Sequence, residues 1–132
     1  MKYPTRTQIK EIANFVKEAC FKSKWKYKKW QWDHVVLVRK HALKLADKVK
    51  ADKKIVEVAA LLHDIGRIKY KPKNHEITSA KETEKILKKL KLDEEFIKKV
   101  KAAFPQYDVV GMSAKYGKNM EEFYEALFIL AG

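Results

Sequence analysis

The chain has 132 residues, 46% of them hydrophobic and 36% charged, a length that fits one domain with a buried core. Its 30 Lys and Arg against 17 Asp and Glu leave a formal charge of +13, a field that attracts phosphates, nucleotides and nucleic acids. No apolar run approaches the roughly 18 residues of a membrane span, and the opening MKYPTRTQIKEI lacks the apolar centre of a secretion signal, so a cytoplasmic protein with no membrane partner is expected. The single Cys20 has no partner for an internal disulfide and falls on an apolar helical face, where it reads as a small buried hydrophobe in a reducing compartment. The lysines are spread over most segments, so the charge reads as a solvating coat as readily as a polyanion attractor.

The periodicity is helical almost throughout, and residues 1–132 read as one all-α domain. Thr5 stands as an N-cap with Gln8 at the capping-box position, followed by Ile9, Ile12, Val16, Ala19 and Cys20 at three- and four-residue spacing. Residues 21 to 32, FKSKWKYKKWQW, alternate lysine with aromatics and read as an irregular connection. Asp33 is expected to cap a second helix running to about Val49, with Val35, Val38, Ala42, Leu45 and Ala46 on one face. Ala51-Asp52 begins a third helix that is apolar nearly all round, from Ile55 to Leu62, and therefore central; Gly66 is expected to end it. A basic loop with Pro72 follows, then a helix from Thr78 to Leu90, then one capped by Asp93 with Phe96, Ile97 and Val100 facing inward, stopped by Pro105. Asn119 caps a last helix, MEEFYEALFIL, which is apolar to its final residues and reads as trimmed or as a natural short form.

The chemistry centres on His63-Asp64. Imidazole and carboxylate together suit divalent ions from Mn, Fe, Co, Ni and Zn to the harder Mg. Neighbours on a helix point about 100° apart, so the pair reaches one ion only near a helix end. His34 on a second helix supplies a third donor, leaving coordination positions for water and substrate. Arg67, three residues beyond Asp64, is a guanidinium that can clamp a phosphate through two bonds. Lys69, Lys71 and Lys73 either line the mouth or simply face solvent. His41 lies two turns past His34, about 10.5 Å along the axis, too far to share an ion, and reads as structural. Trp25, Trp30 and Trp32 among lysines read as core or lid residues, with a single-strand nucleic-acid contact as the alternative.

The phrases DHVVLVRKHALKLA, VAALLHDIGR and NHEITSAKETEKIL resemble the HD-domain superfamily of metal-dependent phosphohydrolases, most nearly its small stand-alone archaeal and bacterial members. The resemblance is strong from Trp32 to Leu90 and looser to Gly132. It implies a helical bundle of five or six helices whose metal ligands run His, His-Asp, Asp, with His34, His63 and Asp64 as the first three. It implies hydrolysis of a phosphate ester, of a nucleotide above all, by a water on the metal, with Asp64 catalytic and His75 a ligand or phosphate contact; Arg67 as a catalytic and substrate-binding group and Lys69 as a substrate contact are read from their charge, since some nucleotidase members carry a carboxylate about where Arg67 stands. The family's late Asp falls in a phrase that matches Glu125 to Gly132, where Ala131 stands at its position; Asp108 is the last Asp of the chain. Two-metal relatives carry more histidines, where this chain has Asn74 and Tyr107, which points to one metal at most. These departures favour the alternative of a degenerate HD domain that binds nucleotide or nucleic acid without turnover. Oligomeric state and substrate identity are not legible.

Overall fold

The computed structural model describes residues 3–23, 28–70 and 75–104, with the side chains of 75 and 76 outside that description. Six helical segments and no strand occur among the described residues, so the chain is an all-α bundle.

Helix α1 spans Arg6–Lys22 and starts where the sequence requires. The Thr5 hydroxyl accepts from the Gln8 N–H at 3.1 Å, and the Gln8 amide oxygen accepts from the Thr5 N–H at 2.9 Å. This reciprocal cap satisfies two otherwise orphaned donors. Ile9, Ile12, Val16 and Cys20 form its buried face.

Helix α2 spans Lys28–Val49 and begins six residues earlier than expected. Most of the stretch expected to be irregular is therefore helical: α1 runs to Lys22, and Trp30, Gln31 and Trp32 lie in the first turns of α2. Asp33 sits inside the helix, exposed, and caps nothing. The reason is tertiary. Gln31 continues the buried stripe of Val35, Val38 and Ala42 backwards by one turn, but its polar side chain hides that continuity from a hydrophobic pattern. Trp25 and Tyr27 lie outside the described residues.

Helix α3, Lys53–Leu62, opens on Asp52, whose carboxylate accepts from the N–H groups of Lys54 and Ile55 at 3.0 and 3.2 Å. Every residue from Val56 to Leu62 is buried, which makes this the central helix. One of them is charged. Glu57 takes Arg6 of α1 at 2.6 Å and Arg39 of α2 at 2.7 Å, so its carboxylate pins three helices at one point.

Gly66 does not end α3. That helix stops at Leu62, and Gly66 lies inside a separate short helix, α4, Ile65–Lys69. His63 keeps right-handed helical angles, but Asp64 at φ −111°, ψ 13° breaks the spiral. Gly66 serves a close approach instead. Its buried N–H donates to the Ser79 hydroxyl of α5, His75–Lys89, at 2.8 Å, a contact a side chain would crowd. Lys69 and Tyr70 both bond Glu82 further along α5. A tight turn follows, with Lys91 at φ 60° and the Leu92 N–H donating to the Leu87 carbonyl at 3.2 Å. Asp93 then starts α6, residues 94–104, whose Phe96, Ile97 and Val100 are buried as expected. The expected final helix lies outside the described residues, as do Tyr107 and Asp108 of the loop before it and Ala131.

Helices α2 and α3 pack side by side, α1 lies across both and reaches α4, and α4 rests on α5. The core runs through all of them, from Ile9 to Phe104. Burying each large aliphatic or aromatic side chain contributes about 1.5–3 kcal/mol. This packing holds the α3–α4 joint against the first turns of α2.

Candidate metal centre

The two residues between α3 and α4 are His63 and Asp64. An aspartate at the position preceding a helix ordinarily spends its carboxylate on the first N–H groups. Asp64 makes no such bond, and its side chain is turned the other way. Its Oδ2 lies 3.4 Å from His63 Nε2 and 3.8 Å from His34 Nε2. One ligand atom from each of the three residues falls within 4.8 Å of the others. The break at Asp64 thus does what a continuous helix forbids: it lets adjacent side chains converge.

His63 is held by its own helix. Its Nδ1 is 2.7 Å from the Ala60 carbonyl oxygen, so that nitrogen carries a proton and donates, and Nε2 is the nitrogen turned toward Asp64. His34 comes from the second turn of α2, with its ring centroid 5.9 Å from that of His63. The Trp30 indole, one turn earlier on α2, stacks on the His34 ring, with centroids 5.4 Å apart and planes 6° from parallel.

The residues fit a divalent cation. Donors at about 2.0–2.2 Å from a shared ion sit roughly 3 Å or slightly more from one another, a little closer than the 3.4 and 3.8 Å from Asp64 Oδ2 to the two imidazole nitrogens. Asp64 Oδ1 is buried and, among the described residues, accepts no hydrogen bond. A buried carboxylate oxygen left without a donor is costly unless a positive group satisfies it. Burial alone would push the Asp64 carboxyl up, but His63 foremost, then Arg67 and His34, outweigh it and hold the group well below the usual carboxylate range. Three donors of this kind leave open coordination positions on an ion.

The surroundings are mixed. Cys20 of α1 is buried, and its thiol is pushed up to about 11 by burial and by the negative charge of Asp64. It stays protonated at neutral pH and behaves as a small hydrophobe, as its place on the apolar face of α1 indicates. Arg67 is half-buried, its charge acts on Asp64, and its Nε is buried with no hydrogen-bond partner among the described residues. Lys69 is engaged by Glu82 and lies over the Phe15 ring at 5.4 Å. His75 is the first residue of α5, with its side chain outside the described residues, as are Lys71 and Lys73. His41 is half-buried and does not belong to the His34, His63, Asp64 group.

Two features escaped the sequence reading. Trp32 packs partly buried against the core as expected, but Trp30 is 59% exposed and stands beside His34. The signal was the four-residue spacing of Trp30 and His34, which places them on one helix face only if α2 is known to start at Lys28. The Glu57 clamp is the other, a lone acid in an otherwise apolar helix.

A tRNA (cytidine(56)-2'-O)-methyltransferase from Picrophilus torridus is similar to this chain, 40% identical over 65 residues, which is 49% of this chain and 18% of that protein. The chain therefore matches under a fifth of that relative's length. No solved structure matches the chain significantly. The HD domain family model matches residues 32–124, a span that begins just before His34 and contains His63 and Asp64. With most of its length so matched, and with the His and His-Asp phrases converging at one joint, this chain belongs to the HD domain family.

Proposed function

We propose that the protein is a metal-dependent phosphohydrolase acting on a phosphate ester, with nucleotides as the substrate class. The observation that carries this is the meeting of His34, His63 and Asp64 Oδ2, with the other carboxylate oxygen, Oδ1, buried and without a donor among the described residues. A bound divalent cation, one of Mn, Co, Ni, Fe, Mg or Zn, supplies Lewis acidity that activates water and draws charge from a phosphoryl oxygen. His63 and His34 present neutral nitrogens, and the Ala60 carbonyl fixes which nitrogen His63 offers. Asp64 lies beside the Arg67 charge, which favours its ionised form, so it serves as a ligand and an acceptor that orients the attacking water, and it is a weak store for the proton. Arg67, a short helical turn past Asp64, neutralises the phosphate. Lys69 and His75 are further candidates for substrate contact, Lys69 with its charge shared with Glu82.

The test is direct. Purified protein is analysed for bound metal and assayed against a chromogenic phosphodiester and phosphomonoester with Mn, Co, Ni or Mg. Bound metal with metal-dependent turnover supports the reading; metal-free protein inert with every ion removes it.

A second reading is a nucleic-acid-binding module without turnover. It is supported by the charge of +13 and by the similarity to part of a tRNA methyltransferase. Tight oligonucleotide binding that weakens steeply with salt, in protein that hydrolyses nothing, selects it.

A further inference from the structure

Trp30 is the most exposed of the large hydrophobic side chains among the described residues, at 59%. Its neighbours on α2 behave differently: Gln31 is buried and Trp32 packs on the core. The helix therefore turns one tryptophan of this pair inward and the other out. The outward indole is not loose on the surface. It lies parallel to the His34 imidazole, 6° from coplanar in orientation and 5.4 Å between centroids. His34 in turn is 3.8 Å from Asp64. An oriented, exposed indole thus stands one side chain away from the cluster assigned above to the cation and the phosphate.

An exposed indole fixed in orientation is a stacking surface. Aromatic rings offer every nucleobase a flat apolar partner, with little dependence on its hydrogen-bonding edge. Sugar phosphates have no such face. Lys28 and Lys29, in the turn that carries Trp30, add positive charge to that end of α2. We propose that Trp30 is a specificity-determining platform that stacks the base of a nucleoside monophosphate whose phosphate lies at His34, His63 and Asp64. It selects nucleotides over base-free phosphate esters and favours purines, whose larger rings stack better. This inference rests on the phosphohydrolase reading for the position of the phosphate, and on the indole alone for the base.

The probes are AMP and ribose 5-phosphate, titrated into the full chain by tryptophan fluorescence and calorimetry, with and without a divalent ion. AMP is expected to quench the fluorescence and to bind more tightly than ribose 5-phosphate. Trp30→Ala should weaken AMP by about tenfold or more and leave ribose 5-phosphate binding near the parent value. Trp30→Phe should recover most of the AMP affinity, since a smaller ring still stacks. If Trp30→Ala weakens both ligands equally, the indole only props His34 and the proposal falls. It falls equally if neither ligand is affected, or if hexa-adenylate outcompetes AMP on the same indole, which would assign the platform to a strand. The two readings fail separately. Turnover of a base-free ester without AMP selectivity keeps the hydrolase and removes the platform; AMP selectivity through Trp30 without any turnover does the reverse.

Discussion

His63 and His41 are both imidazoles on or beside helices, yet their surroundings assign them opposite roles. His63 has one nitrogen bound to Ala60 and the other facing a carboxylate, which is the arrangement of a metal ligand with its outer partner. His41 is held below its ordinary value by burial, then by Lys40 and Lys44, a setting that repels a cation. His63→Ala and Asp64→Ala should each lower metal affinity beyond the about 10–100-fold typical of losing an outer partner, whereas His41→Ala should retain the metal, as read by elemental analysis after dialysis. A His41 variant stripped as fully as the His63 variant would reverse the assignment. Glu82 carries a separate, pH-dependent signature. Burial raises its carboxyl, but the Lys69 bond, the Lys69 charge and the Tyr70 hydroxyl outweigh this and lower it from its ordinary 4.5. A carboxyl lowered in the folded state binds fewer protons than in the unfolded chain, so its contribution is complete above about pH 4.5 and is lost as pH falls through the folded value. Glu82→Gln should flatten the acid limb of a urea-denaturation series between pH 3 and 5, roughly, with its loss of stability largest at pH 7 and shrinking toward pH 3.

At the scale of elements, the joints decide more than the helices. Ser79 accepts the buried N–H of Gly66, and Ser79→Ala leaves that donor unpaired at a cost of about 1–3 kcal/mol, measurable by urea denaturation. Lys50 and Lys91 both adopt left-handed angles, φ 57° and 60°, at the ends of α2 and α5. Glycine is free of the steric penalty there, so Lys50→Gly and Lys91→Gly should each raise stability by up to about 1 kcal/mol despite the larger entropy of the unfolded glycine. The helices themselves were largely legible. The Thr5–Gln8 box, the Asp52 cap and the inward faces of α1, α2, α3 and α6 follow from spacing and cap chemistry alone. What stayed hidden lies where a tertiary contact overrides the local signal. Buried Gln31 extends α2 against its own polarity, and Gly66 marks a close approach to Ser79 where glycine usually marks an ending. The candidate metal cluster was legible as residues but not as geometry, because the break that aims Asp64 depends on the backbone at a single residue.

For the whole molecule, the charge of +13 raises a question that one titration answers. A single-strand contact made through about four phosphates should weaken roughly 50-fold between 50 and 200 mM salt. A flat dependence would identify the lysines as a solvating coat. The joint between α3 and α4 has one more consequence. Two of its donors follow the central helix and the third arises from α2, so an ion there would rivet two segments already joined by packing, by the Glu57 clamp and by the Lys53–Asp47 ion pair. Such a rivet is absent from the unfolded chain. At about 100 times its dissociation constant, a ligand taken up by the native state alone adds roughly 2.7 kcal/mol. The melting temperature of this protein should therefore climb with the concentration of the ion it prefers, and a chelator should bring it down, which turns a heating curve into a way of ranking metals without any substrate at all.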